Sequence, residues 1–513
     1  MTGRKRMLGG FLTVGGWTLL SRLLGFVRDV MIAAFLGTGP AAQAFIVAFS
    51  LPNMFRRFFA EGAFNMAFVP MFSKKLEADD DPLGFARDAF SGLATVLITF
   101  TVIAMFAMPW LVWAMASGFV GDVRFDLSVT YGRIAFPYIL FISLAALLSG
   151  VLNATHRFTA AAAAPVLLNL IFIAALVLSS MMGLDIGLTL AWVVPFAGIA
   201  QLALVWVAAK RAGFALTPKR PVLSPDLKRL AIIAAPAALA GGVVQVNLLI
   251  GRQVASQFDS AVAWLYNADR LYQLPLGVVG IAIGIVLLPE LSRRLQAGDE
   301  TGGQEAFSRA GEISLALTIP AAVALVVIPL PLVEVLFERG RFGPDDTAAT
   351  AAAVQIYGLG LPAFVLQKVY QPLFFARADT KTPFYYALVA MVINAGLAIG
   401  LAPIIGYLAA AIGATLASWG MVALLWVGSR KMGISARLDR RFRNRIWRIT
   451  LAAILMGVAL LAAQLALNPM FGAGTWRYLA LIILILVGVI TYFGIGQLLG
   501  AFKLSEFRHS VRR

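Results

Sequence analysis

No cysteine occurs anywhere in the 513 residues, and there are two histidines. The first absence excludes disulfides, thiolate metal sites and cysteine nucleophiles. His156 falls in a short turn and His509 in the C-terminal tail, neither with acid or histidine partners at ligand spacing. A membrane hydrolase or transferase needs a nucleophile with a base, or a metal cluster, so the expectation is a protein that is not an enzyme and has no metal site. Charge is scarce as well, at 13% of residues against about 25% in ordinary proteins. Acids are the scarcer sign, 25 Asp and Glu against 42 Lys and Arg, which leaves a net charge of +17.

What the chain has in excess is apolar sequence, 60% of all residues. A soluble domain could not bury that much. Runs of about 20 apolar residues, the length that crosses a bilayer, recur along the chain. They are continuous rather than alternating, which excludes a β-barrel. Only helices and closed barrels satisfy the backbone in lipid, so the fold class is an all-α polytopic membrane protein. About 14 spans are expected, near 10–37, 41–72, 86–116, 128–155, 158–182, 186–210, 229–257, 261–291, 308–337, 346–375, 382–402, 406–430, 446–467 and 477–499. The basic, then apolar N-terminus imitates a signal peptide, but Arg22 interrupts the run and no small-x-small cleavage site stands out, so it reads as an uncleaved first helix.

The position of the positive charges explains their number. With the N-terminus in the cytoplasm and strict alternation, the inner side collects Arg4, Lys5, Arg6, Lys74, Lys75, Arg87 and Arg157. It also collects the linker Lys210–Arg229, Arg293, Arg294, Arg309, the run Arg430–Arg448 and the C-terminal tail. The other side holds little beyond Arg124, Arg339, Arg341 and Arg477. This is the positive-inside rule, with both termini cytoplasmic and no nucleic-acid partner.

Two basic linkers, "KRAGFALTPKRPVLSPDLKR" and "KMGISARLDRRFRNR", divide the spans into six, six and two. "FVPMFSKKL" (68–76) and "LLPELSRRL" (287–295) close the second span of each six and match at Pro70/Pro289, Ser73/Ser292, the basic pairs and Leu76/Leu295. The expected organisation is therefore a lobe over 1–212, a repeated lobe over 226–432 and two further helices over 445–500. An even number of spans per lobe makes the repeats parallel, a build that places substrate between the halves.

Eight cations do not fit a lipid-facing helix: Arg22, Arg28, Arg56, Arg57, Arg133, Arg252, Arg270 and Lys368. Each costs roughly 2.5–3.5 kcal/mol at the centre of a span on insertion scales. Local acids account for part of them. Glu61 lies one helical turn after Arg57, Asp29 follows Arg28, and Asp269 precedes Arg270. Arg57 and Glu61 read equally well as an internal pair or as part of a site. The first two spans hold four arginines against Asp29 and Glu61, and that surplus calls for an anion. Arginine binds phosphate oxygens bidentately and stays charged, so the chemistry expected is a phosphate-bearing anion in a central cavity.

The stretches "SRLLGFVRD" (21–29), "AFIVAFSLPNMFRRFFAEGAFNMAFVP" (44–70), "NADRLYQLPLGVVGIAIGIVLLPELS" (267–292) and "ARADTKTP" (376–383) resemble the MurJ (MviN) lipid II flippases of the multidrug/oligosaccharidyl-lipid/polysaccharide exporter superfamily. The resemblance covers nearly the whole chain. It implies a transporter of the bacterial cytoplasmic membrane that moves lipid II, an undecaprenyl-diphosphate disaccharide-pentapeptide, to the outer leaflet by alternating access for peptidoglycan synthesis. It implies substrate binding by Arg22, Arg28, Arg56, Arg57, Glu61 and Arg270, with Asp29, Arg252 and Asp269 as secondary candidates. The alternative is a related exporter of another lipid-linked oligosaccharide or a drug. Lipid II and the bilayer are the implied partners, together with cell-wall synthesis enzymes. No ATP-binding motif is present and no cofactor is implied, so a sodium gradient or the membrane potential is the expected drive, with Asp379 a candidate cation ligand. The chain departs from the family at Gln43, where many members carry an acid. Because the chain lacks cysteine, single cysteines report topology cleanly: Thr217→Cys in intact cells should resist an impermeant maleimide and Thr475→Cys should react, the reverse pattern refuting the orientation.

Overall fold

A computed structural model describes residues 2–57, 63–472 and 474–501, not every side chain among them, and these residues contain no β-strand. The chain divides into two compact units, one of residues 1–263 with 339–342 and one of 264–338 with 343–513. Ten helices among the described residues are long and apolar enough to cross a membrane.

Unit 1 holds α1 (Thr2–Leu36), α2 (Pro40–Arg56), α3 (Ala63–Glu77), α4 (Pro82–Phe106), α5 (Met108–Met115), α6 (Val123–Ala135), α7 (Tyr138–Ala154), α8 (Thr159–Met182), α9 (Ile186–Arg211) and α10 (Pro225–Ser256). α1 packs on α8, α8 on α9, and α2 on α6. Their shared core is made by Phe45, Ala48, Tyr138, Phe172, Leu176 and Val194. Lipid is as apolar as a leucine side chain, so association of these helices rests on close packing rather than on escape from water. α10, the first span of the second six by sequence, packs on α3 and α4 within unit 1. The linker before it is strapped to α4: Arg87 donates twice to the Ala215 carbonyl, and the Lys219 amide donates to Ser91 Oγ. Lys75 reaches both Asp80 and Asp226. Residues 339–342 also belong to unit 1, where the Arg341 amide donates to the Ala34 carbonyl at 2.9 Å. Gly340 (φ +59°) makes that approach, since a Cβ there would sit 2.2 Å from the Ala34 oxygen.

Unit 2 holds most of α11 (Ala261–Gln296), then α12 (Glu300–Val327), α13 (Pro329–Phe337), α14 (Pro344–Phe375), α15 (Lys381–Ile405), α16 (Leu408–Ser429), α17 (Arg440–Phe471) and α18 (Trp476–Leu498). α14 and α15 both pack on α16, α12 packs on α14, and α17 and α18 pair with each other. A separate core of Ile449, Ala453, Met456, Leu460, Leu484 and Tyr492 joins α17 and α18, with Val323 of α12 against it. At the basic end Glu312, 7% exposed, is met by Arg309, Arg441 and Arg445, and Arg309 also holds Asp439. A lone buried carboxylate would be costly, and the arginines offset that cost.

Among the described residues, three spans expected as single helices are broken. Spans 86–116 and 308–337 each end in a short extra helix, α5 and α13, and span 128–155 divides into α6 and α7 around Pro137. Proline lacks the amide that continues a helix. At the first break Pro109 leaves the Met105 carbonyl without its partner four residues on, and Arg133 Nε of α6 donates to it at 3.1 Å. At the second, beside Pro329 and Pro331, Gln355 Nε2 of α14 donates to the Val326 carbonyl at 2.9 Å. The same helix of each six is thus broken and capped by a side chain from the same following helix. The ends of α3 and α11 are also alike: Lys75 pairs with Asp80 and Arg294 with Asp299, five residues on in both cases. Phe172 is fully buried while Leu170 is 48% exposed. Phe172→Ala should lower unfolding free energy by about 3–5 kcal/mol, and Leu170→Ala far less, measured by denaturation in detergent; equal effects would contradict the core.

Candidate functional site

Arg28 is 8% exposed and Asp29 3% exposed, deep in unit 1 on α1. Neighbouring residues on a helix do not usually face each other, yet Arg28 bends back. Its Nε and Nη2 donate to Asp29 Oδ1 at 3.0 and 2.7 Å. Its Nη1 donates to Asn169 Oδ1 of α8 at 3.0 Å. Asn169 is itself oriented, since its Nδ2 donates to the Ser21 carbonyl at 2.9 Å. The guanidinium lies over the rings of Phe49 and Phe172, at 5.9 and 5.4 Å from their centroids, where the ring faces attract a cation. Arginine has five N–H donors. Three are engaged here, which holds the guanidinium in a fixed orientation. Asn169, an amide within an apolar helix, is the residue that reading α1 alone missed; its polarity inside "PVLLNLIF" is the signal.

Arg22, six residues earlier on α1, is exposed. Arg56 is half-buried in the last turn of α2, and Arg57, just beyond, is exposed. Pro52 lies in the buried part of α2, one turn before Arg56, and removes the amide that would serve the Ala48 carbonyl. Glu61, and with it the expected pair with Arg57, lies outside the described residues. Arg252 is half-buried on α10. Arg133 caps the broken end of α4, and Lys368 is exposed on α14.

In unit 2, Asp269 and Arg270 are adjacent on α11. Asp269 accepts from Gln273 Nε2 and hydrogen-bonds the Tyr272 hydroxyl. Arg270 lies over the Tyr266 ring, 4.2 Å from its centroid. Tyr272 stacks on Phe364 and leans on Tyr357 of α14. The result is an arginine and a carboxylate set among aromatic rings, a surface suited to a sugar or an anion.

Gln43 is 2% exposed and its Oε1 accepts from Arg124 Nη1 at 3.5 Å. Arg124 is 6% exposed and also holds Asp122 Oδ2 at 2.6 Å and Asp259 at 3.5 Å, over the Phe119 ring. Arg124 is thus paired with Asp122 and Asp259 beside the neutral Gln43. Asp379 sits in the turn between α14 and α15, and its Oδ1 accepts from the Thr382 amide at 3.0 Å. One of its oxygens is thus engaged in closing the first turn of α15. No group of three or more His, Asp or Glu placed to hold a metal occurs among the described residues.

The family model described as lipid II flippase MurJ matches residues 32–487. A probable lipid II flippase MurJ of Rhizobium meliloti (strain 1021) is 45% identical over 513 residues, 98% of this chain and 96% of that protein. The lipid II flippase MurJ of Burkholderia cenocepacia is 37% identical over 435 residues, 82% of this chain and 84% of that protein. Among solved structures, a lipid II flippase MurJ in an inward closed conformation aligns with TM-score 0.78 at 22% identity, covering 98% of this chain and 99% of that one. An inward-facing multidrug resistance MATE family transporter of the MOP superfamily aligns with TM-score 0.68 at 14% identity, covering 81% and 95%. At those identities the structural likeness speaks to the fold alone.

The Thr382 amide holds the Asp379 carboxyl below the ordinary carboxylate range. A lowered folded value gives stability that is present above the unfolded value, about 3.9, and is lost as pH falls through the folded one. Asp379→Ala should therefore cost about 1 kcal/mol at pH 7. The gap to the parent should close below about pH 4, read by thermal unfolding in detergent; a gap that persists in acid would show that the carboxylate's charge plays no part.

Proposed function

We propose that this chain, which belongs to the lipid II flippase MurJ family, is a transporter that moves lipid II across the bacterial inner membrane, not an enzyme. The observation that carries the reading is the match to that family over nearly the whole chain. The substrate's diphosphate is the anion that the surplus of arginine calls for. The likeness to a multidrug transporter at 14% identity is one of fold and favours no drug as substrate.

In this reading residues 1–212 and 226–432 are the two repeated lobes, with 445–500 as the two extra helices. The basic ends of the helices face the cytoplasm, both termini with them. The excess of Lys and Arg at those ends carries this orientation, and the exposed Trp110, Trp113 and Trp192 mark a membrane–water boundary at the other end of unit 1. Arg22, Arg56 and Arg57 receive the diphosphate, and Arg252 and Glu61 are further candidate contacts of the substrate. Arg28, held in a fixed orientation by Asp29 and Asn169, is another. Arg270 and Asp269 contact the sugar-peptide head. A monovalent cation gradient or the membrane potential drives the cycle. The potential supplies about 2.3 kcal/mol per elementary charge per 100 mV. Asp379 is a secondary cation candidate, and enzymes of cell-wall synthesis take over the product at the outer face.

Arg22→Ala, Arg56→Ala and Arg270→Ala should each reduce lipid II flipping at least about tenfold, the loss of about 1.4 kcal/mol or more, while the protein still accumulates in the membrane. The measurement is complementation of flippase depletion with lipid II orientation read by an impermeant probe. Normal flipping by all three variants would sink the assignment of the site.

A further inference from the structure

α10 is by sequence the opening helix of the second six, yet its end remote from the basic side is built into unit 1 by one side chain. Gln253 Oε1 accepts from both the amide and the hydroxyl of Ser117, each at 2.8 Å. Its Nε2 donates to the carbonyls of Trp113 and Ala114, at 2.9 and 2.7 Å. These partners are groups that helix ends leave without internal partners: two carbonyls of the last turn of α5, and the first amide of the 3₁₀ turn Ser117–Phe119. One amide from α10 thus closes the end of one helix and the start of the next.

The backbone approach beside it is equally tight. The Gly118 amide donates to Ser256 Oγ at 3.1 Å. A Cβ on Gly118 would stand 2.4 Å from the Ser256 carbonyl oxygen. Gln257 Nε2 adds a bond to Ser117 Oγ at 3.2 Å. Behind these contacts Val254, Ala255 and Ser256 are buried, at 6%, 1% and 0% exposure.

The seat is fitted, but it is neutral and polar and lies at a water-facing end. Each of its hydrogen bonds has water as an alternative partner, and Arg124 keeps Asp122 at 2.6 Å when Asp259 draws away, so separation strands no charge. An apolar seat of the same fit would lack that exchange. We propose that Gln253 is a reversible latch: it holds the outer end of α10 against the α5 loop, and the latch must release in each cycle for substrate to leave at the outer leaflet. The role rests on the flippase reading above.

The test uses the full-length protein and the absence of native cysteine. Val120→Cys and Asp259→Cys, both exposed beside the seat, are bridged by a flexible bis-thiosulfonate that a reductant removes. The bridged protein should lose lipid II flipping at least about tenfold, which corresponds to 1.4 kcal/mol, and regain it on reduction. Bridged protein that flips at the parent's rate would overturn the latch. A second arm needs no substrate. Val254→Cys should be protected from an impermeant maleimide, and adding Gln253→Ala should raise its labelling rate about tenfold, again 1.4 kcal/mol, with the melting temperature showing that the variant is folded. An unchanged labelling rate in folded protein would also overturn the proposal. Failure of the unbridged parent to flip lipid II would instead strike the functional reading and leave the labelling arm to judge the latch.

Discussion

A charge or backbone group that leaves water inside this protein must find a partner there, and lipid offers none. Much of the architecture follows from that constraint. The broken ends of α4 and α12 are closed by Arg133 and Gln355. The buried carboxylate of Glu312 is met by three arginines. The buried guanidinium of Arg28 has a carboxylate, an amide and two aromatic faces around it. Each is a local solution, and each ties together helices that apolar packing alone would hold without fixed register.

The same constraint separates two kinds of arginine that look alike in the sequence. Arg28 and Arg124 are largely neutralised by the protein. They organise helices and leave few donors over. Arg22 and Arg57 are exposed. A transporter of a diphosphate needs both kinds. A cavity of wholly satisfied arginines would not attract the anion, and one of wholly unsatisfied arginines would be costly to fold. The proposed latch at Gln253 follows the opposite logic at the membrane surface, where neutral groups that exchange with water permit movement that a buried ion pair would resist.

The sequence and the structure also describe the halves differently. The repeat is a reading of the sequence, from "FVPMFSKKL" and "LLPELSRRL", and the ion pairs and helix breaks of the two sixes are alike. The compact units are a statement of packing, and they assign α10 and residues 339–342 to unit 1. Helices of one repeat can pack with the other when the connecting chain is docked, as the linker is on α4 through Arg87 and Ser91.

By itself the sequence determined the fold class, the charge asymmetry, the resemblance to the flippase family and the short set of arginines worth attention. These depend on composition, order and local spacing, and each is readable one helix at a time. It did not reveal where long helices break, because Pro109 and Pro329 read like the kinks that membrane helices commonly tolerate. Nor did it reveal that Arg28 rests on Asn169, 141 positions away, or that Gln253 closes the end of α5. Only tertiary structure decided which charges are satisfied, because the partner that neutralises a group in lipid usually comes from another helix, and distance along the chain carries no record of that meeting.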